Sequence, residues 1–256
     1  LYGTYPWARY DQVVVYDFIF GGMENLAATT LVDVVLVDDV AAPDSDLDSL
    51  VVHELGHQWW GDLVTCQDWS QSWLNEGWAT YTEYLWYAHD RGLDEAKYHL
   101  WDNLQLYLGE DGGRYRRPIV SYLFTEPIDM FDRHIYEKGA LVVHTLRTVL
   151  GEEAFWSGVR TYLSRHANGT VHTRHMQRAF EDASGKNLDG FFAQYVFSSG
   201  HPQLSVNTAW ADGLLTVVVK QTQSGDGVTE VFNVPLTLLV NGERVVLQLT
   251  ERERAY

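Results

Sequence analysis

The chain has 256 residues, 46% of them apolar and 21% charged, a globular balance that excludes a disordered chain, a coiled coil or a collagen-like polymer. Thirty-five acids against 18 bases leave a net charge of −17, which opposes phosphate backbones and anionic lipid and argues against a nucleic-acid partner. Apolar runs fall far short of the ~20 residues that a membrane-spanning helix needs, and the single cysteine, Cys66, excludes an internal disulfide framework.

Val13 to Phe20 and Leu31 to Val37 are rich in β-branched and aromatic residues and read as strands, separated by a glycine break at Gly21 and Gly22. From Pro43 the pattern turns helical, with Asp44 and Ser45 as N-cap candidates and apolar residues running to Trp60. A loop over 62–68 leads to a second helix, roughly Ser72 to His89, and a third over 93–108. Gly112 to Pro127 reads as loop. Further helices are expected from Asp132 to Leu150 and over 152–166, 173–183 and 187–197. The composition changes at His201-Pro202. Leu204 to Trp210, Leu214 to Gln221, Val231 to Val240 and Arg244 to Thr250 read as strands, with turn residues at Asp212-Gly213 and Asn241-Gly242. The expected fold class is α+β: a mainly helical domain over 1–200 with a small N-terminal sheet, then a β-sandwich-like domain over 201–256. Four strands are few for an independent sandwich, so this second domain is expected to be incomplete. Leu1 is neither an initiator Met nor the start of a signal peptide, which fits a mature product or an excised piece. The compartment stays unknown, with the lone cysteine tilting slightly towards the cytoplasm.

The strongest chemical signal is His53-Glu54-Leu55-Gly56-His57. On a helix, residues four apart share a face with Cβ atoms ~5–6 Å apart, so two imidazoles can reach one Zn²⁺. Glu54 stands beside them, displaced around the helix but able to face a water on the metal, as a general base must. Catalytic zinc takes three protein ligands and keeps one position open. Glu76 supplies the third. Eighteen residues separate it from His57, enough for a helix end, a loop and the first turn of the next helix. Its neighbours Trp73, Trp78 and Tyr81 surround an acid with apolar bulk, and an acid so placed needs a partner. Gly56 inside the helix leaves room for another element behind the ligands. His172 and His175 could chelate a metal, but a solvated helix start is the better reading, and His134 reads as structural.

Three blocks, in order, give the chain a resemblance to a family: Gly21-Gly22-Met23-Glu24-Asn25, then His53 to Gly61 with Asn75-Glu76-Gly77, then Tyr136-Glu137-Lys138-Gly139-Ala140. It resembles the gluzincin zinc aminopeptidases, the group of aminopeptidase N and the leukotriene hydrolase. The resemblance implies a thermolysin-like catalytic domain over 1–200 and the start of the following β-domain over 201–256, with no counterpart of the family's N-terminal and C-terminal domains. It also implies one zinc ion on His53, His57 and Glu76, with Glu54 as general base and Tyr136 as oxyanion donor. Gly21, Gly22, Met23, Glu24 and Asn25 would line the substrate, Glu24 pairing with its free α-ammonium. The expected activity is removal of the N-terminal residue from peptides. A catalytically silent peptide-binding scaffold and an epoxide hydrolase at the same zinc site are the alternatives.

Overall fold

The computed structural model describes residues 1–45 and 47–256. The chain starts with β1 (Asp11–Val15), β2 (Gly22–Met23) and β3 (Ala28–Val32). Helices and two short strands follow: α1 (Asp48–His57), β4 (Val64–Cys66), α2 (Trp73–Asp90), α3 (Leu93–Gly113), α4 (Glu137–Leu150), α5 (Glu152–His166), β5 (Gly169–Val171), α6 (Thr173–Ser184) and α7 (Asp189–Tyr195). The last part is all strand: β6 (Leu204–Ala211), β7 (Leu214–Gln221), β8 (Val234–Val240), β9 (Glu243–Leu249) and β10 (Glu253–Ala255). The α+β class is as expected, and no helix among the described residues is long and apolar enough to cross a membrane.

The first sheet has the order β1-β3-β2. β1 runs parallel to β3, and β2 pairs antiparallel with it through Gly22↔Leu31 and Met23↔Thr30. Both long strands are shorter than the sequence pattern suggests. β1 stops at Val15 because Asp17 takes a left-handed φ of 55°. β3 begins earlier, at Ala28, and gives way at Asp33 to a 3-10 turn. The expected glycine break is instead partly strand, since Gly22 pairs across to Leu31.

Helix boundaries shift where tertiary bonds compete with the helical ladder. Asp44 lies in a 3-10 turn over Ala42–Asp44, and Ser45 is extended, at φ −118° and ψ 118°. Neither residue caps α1, which starts at Asp48. α4 starts at Glu137 rather than Asp132. The Asp132 carboxylate instead takes Arg117 at 2.7 and 2.8 Å and Tyr115 at 2.7 Å, fixing a turn where the pattern promises helix. α3 runs on to Gly113, beyond the expected end. β4 and β5, three residues each and paired in parallel, fall below what periodicity can register.

Around α2 the core is aromatic. Trp60 and Trp78 stack at 3.9 Å with 8° between their planes, and Tyr162, Phe155 and Phe180 extend the stack. Most aromatic side chains of these helices are core, while Trp69, Tyr98 and Trp101 are exposed. In the C-terminal part, β10-β7-β6 form one sheet and β8-β9 a separate hairpin. The turns fall at Asp212-Gly213 and Asn241-Gly242 with positive φ throughout, as hairpin chemistry requires. Val219 and Leu249 from these strands, and Phe232 just before β8, join the same apolar core as the helices.

Candidate active site

α1 carries His53, Glu54 and His57, and the first turn of α2 brings Glu76 to them. The two Nε2 atoms lie 3.1 Å apart, and Glu76 Oε2 lies 3.3 Å from that of His53 and 3.2 Å from that of His57. An ion holding nitrogen and oxygen tetrahedrally at ~2.0–2.1 Å has ligand–ligand edges of about 3.3 Å. The triangle therefore has the dimensions of one face of such a tetrahedron. The far side of each imidazole is already bonded. His57 Nδ1 donates to the Trp60 carbonyl oxygen at 2.9 Å, and His53 Nδ1 donates to Glu83 Oε1 at 2.8 Å. Both Nε2 lone pairs are thus left facing Glu76. Lone pairs and a carboxylate converging in a buried space repel unless a cation or a proton lies among them. Two imidazoles and one carboxylate, with the fourth direction open, are a donor set that fits zinc.

The ionisation of these groups shows the same convergence. Burial would raise the Glu76 carboxyl, but the two imidazoles outweigh it and hold it at about 2. Burial would lower His57, and the Glu76 carboxylate outweighs that and lifts it to about 9. Protons and a metal compete for these same lone pairs.

Glu54 sits on the adjoining face of α1, 4% exposed, and its Oε2 is buried with no hydrogen-bond partner among the described residues. Burial raises its carboxyl to about 7 against the pull of His53 and His57. A carboxylate so poised can accept and return a proton near neutral pH. β2 passes directly over it. A Cβ on Gly22 would stand 2.5 Å from Glu54 Cδ and 2.7 Å from its Cγ, so any side chain there would have to push the Glu54 carboxylate aside. Glu24, half-buried, brings a carboxylate oxygen within 4.8 Å of ligand atoms of both Glu54 and His57. Gly21 and Met23 flank Gly22, Met23 39% exposed on the β2 edge. Asn25 turns its amide away to Thr30 Oγ1, 2.9 Å off within its own hairpin. Tyr136, at the N-cap of α4, stacks against the His53 ring at 5.9 Å. Burial, and then the carboxylates of Glu76, Glu24 and Glu54, push its phenol far above the ordinary value, so it remains a hydrogen-bond donor.

Residues 1–195 match the model of the peptidase family M1 domain. The chain belongs to peptidase family M1. It is 33% identical over 215 residues to Aminopeptidase M1 of Arabidopsis thaliana, covering 78% of this chain and 24% of that protein. It is 36% identical over 212 residues to the mitochondrial Aminopeptidase 2 of Saccharomyces cerevisiae, covering 79% and 22%. With Probable aminopeptidase 1 of Saccharolobus solfataricus it shares 30% over 257 residues, covering 98% and 32%. The chain thus spans between 22% and 32% of the length of these relatives.

Two contributors to this family M1 site escape a reading of motifs. Glu83, the carboxylate behind His53, lies seven residues after Glu76. Two helical turns place both on one face of α2, and that spacing was the available signal. Gln58, fully buried, has no such signal. Its Oε1 accepts from the Ala27 N–H at 2.9 Å and Tyr5 hydroxyl at 3.0 Å. Its Nε2 donates to Asp62 at 2.9 Å and to the Glu24 carbonyl at 3.3 Å. It thereby ties α1 to the hairpin that carries Glu24.

The remaining candidates lie elsewhere. His134 is fully buried away from the triangle, 3.2 Å from Asp132 and 3.4 Å from Asp111. His172 and His175 form a reciprocal cap on α6. His172 Nδ1 accepts from the Arg174 N–H and His175 Nδ1 accepts from the His172 N–H, so the lone pairs a metal would need are engaged. Gly56 backs onto α2, where a Cβ would meet Thr82 Oγ1 at 2.8 Å. Cys66 has its thiol pushed up to about 11 by burial, the reverse of what a nucleophile needs.

Proposed function

We propose that the complete protein is a zinc-dependent aminopeptidase that removes the N-terminal residue of peptides. The reading is carried by one observation: three ligand atoms spaced 3.1 to 3.3 Å apart, with the Glu54 and Glu24 carboxylates beside them. His53, His57 and Glu76 hold the ion. Bound there, zinc supplies a Lewis acid and an acidified water. Glu54 takes the proton of the attacking water and returns it to the leaving amine. The Tyr136 hydroxyl donates to the oxyanion that develops on the scissile carbonyl. Glu24 pairs with the substrate's α-ammonium, which sets the register so that the first peptide bond reaches the base. β2, at the open edge of its sheet, offers backbone to an extended peptide. A division near residue 200 belongs to the same proposal: catalytic domain before it, β-domain after it. Its support is that the family match ends at 195 and every later element is a strand.

The test is made on the complete protein. It should carry one zinc per chain and hydrolyse aminoacyl chromogenic substrates with a free amine but not their N-acetylated forms. Glu54→Gln should keep the zinc and lose ~10²-fold or more in kcat. An active Glu54→Gln variant would remove Glu54 from the role of base.

A further inference from the structure

α2 and α4 cross at a pair of glycines, each next to a functional residue. Gly77 follows Glu76 directly, and Gly139 lies three residues after Tyr136. A Cβ on Gly77 would stand 2.9 Å from Gly139 Cα, 3.0 Å from Gly139 C and 3.0 Å from the Ile135 carbonyl oxygen. A Cβ on Gly139 would stand 2.9 Å from Gly77 Cα. These obstacles are backbone atoms, which cannot swing aside as a side chain can. The Ile135 carbonyl belongs to the very peptide group that leads into Tyr136.

Glycine is a poor helix former, and here both helices place one at the same contact. We infer that the Gly77–Gly139 contact positions Tyr136: it sets how far the phenol stands from Glu76 and the imidazoles. The inference rests on the proposed roles of Glu76 and Tyr136.

Of the two helices, α4 has the looser hold beside the contact: Arg117 and Tyr115 grip Asp132, four residues before Tyr136, and not the helical turn itself. The Glu76 end of α2 is fixed by its carboxylate between two imidazoles, by the Trp60–Trp78 stack, and by the Trp73 indole N–H donating to Thr173 Oγ1 at 2.9 Å. The start of α4 lacks a side-chain cap, and Tyr136 meets the site through ring contacts to His53 at 5.9 Å and Phe131 at 6.4 Å. A methyl group at either glycine needs about 0.5–1 Å more than the contact allows. The first turn of α4 would take up most of that shift and carry the Tyr136 ring with it.

The experiment compares Gly77→Ala, Gly139→Ala and Gly109→Ala in the complete protein. Gly109 lies on α3 and a Cβ there meets nothing within 4 Å, so it controls for the helix effect of alanine. Gly77→Ala and Gly139→Ala should lower kcat about 10- to 100-fold with KM and zinc content unchanged, and Gly109→Ala should match wild type. In a Tyr136→Phe background, Gly139→Ala should cost little more, because the group it displaces is already gone. A crystal structure of Gly139→Ala should show the Tyr136 ring displaced from His53 by about 0.5–1 Å. Should Tyr136→Phe keep full kcat, the oxyanion role falls, and the displacement of the ring still decides the positioning claim. An undisplaced ring, an undiminished kcat in the folded variant, or an equal loss in the Tyr136→Phe background would overturn the inference. So would failure of both glycine variants to fold, which would make the contact a support of the fold instead.

Discussion

Replacing Gly22 by alanine should disable the general base without touching the metal. The added methyl carbon would stand 2.5 Å from Glu54 Cδ. Unstrained carbon contacts begin at about 3.5 Å, so the carboxylate must retreat by about 1 Å. Because the atoms in the way are the end of a flexible side chain, the fold absorbs the change, and stability should fall by less than about 1 kcal/mol. The chemistry does not absorb it, since a misplacement of about 1 Å costs on the order of 10²-fold. The assay is steady-state hydrolysis of an aminoacyl anilide by the complete protein, with zinc measured by elemental analysis and melting followed by circular dichroism. Zinc should stay at one per chain and kcat should fall ~10²-fold. In a Glu54→Gln background the same substitution should add little. A kcat within about three-fold of wild type would show that Glu54 does not act from this position. A full loss repeated in the Glu54→Gln background would show that the methyl obstructs the substrate instead.

Glu83→Ala should weaken zinc binding by ~10- to 100-fold, read by chelator competition, because His53 loses the carboxylate that orients it. Glu24→Ala should lower kcat/KM by roughly 10- to 150-fold on free-amine peptides and barely change the slow turnover of N-acetylated ones. Equal loss on both would make Glu24 a support of the fold. Acid stability should depend on Asp111. Burial would raise this carboxyl, but His134, Arg116 and His201 hold it at about 2, with the Tyr107 hydroxyl also bonded to it. A carboxyl depressed in the folded state stabilises fully above its unfolded value and progressively less as pH falls through the folded one, so the loss should run from about pH 4 to about pH 2. Asp111→Asn should lower stability at neutral pH by up to about 2 kcal/mol and flatten the acid limb of Tm against pH. An unchanged acid limb would place the acid sensitivity elsewhere.

Residues close in sequence explain what could be read in advance. His53, Glu54 and His57 share one helix, and helix geometry alone brings their side chains together. Glu76 was legible because aromatic neighbours make a bare acid implausible. The strands β6 to β9 followed from alternation and from Asp-Gly and Asn-Gly turns, whose positive φ angles are local chemistry. What stayed hidden depends on contacts between distant segments. The Trp60 carbonyl behind His57 has no sequence signature, because any residue offers one. The start of α4 is set by Arg117 and Tyr115 gripping Asp132. Gln58 looks like any helix-end glutamine until Ala27, Tyr5 and Asp62 close around its amide.

The stacked indoles of Trp60 and Trp78 bear on how the proposed metal site is held. Each lies a few residues from a ligand, Trp60 after His57 and Trp78 after Glu76, and both are wholly excluded from solvent. Their contact, with Gly56 seated against Thr82 and Ala79, fastens the two ligand-bearing helices through the hydrophobic core. Small zinc domains differ in kind, because there the ion itself organises the chain and its loss unfolds them. On the proposed reading, little of the ion's binding energy would be needed to bring these two helices together, because the core already holds them. Exchange of one ion for another would then take place inside a standing fold, governed by ligand spacing and by the rate at which ions reach the buried triangle. If zinc is bound as proposed, chelation should leave the fold standing and added zinc should restore the site.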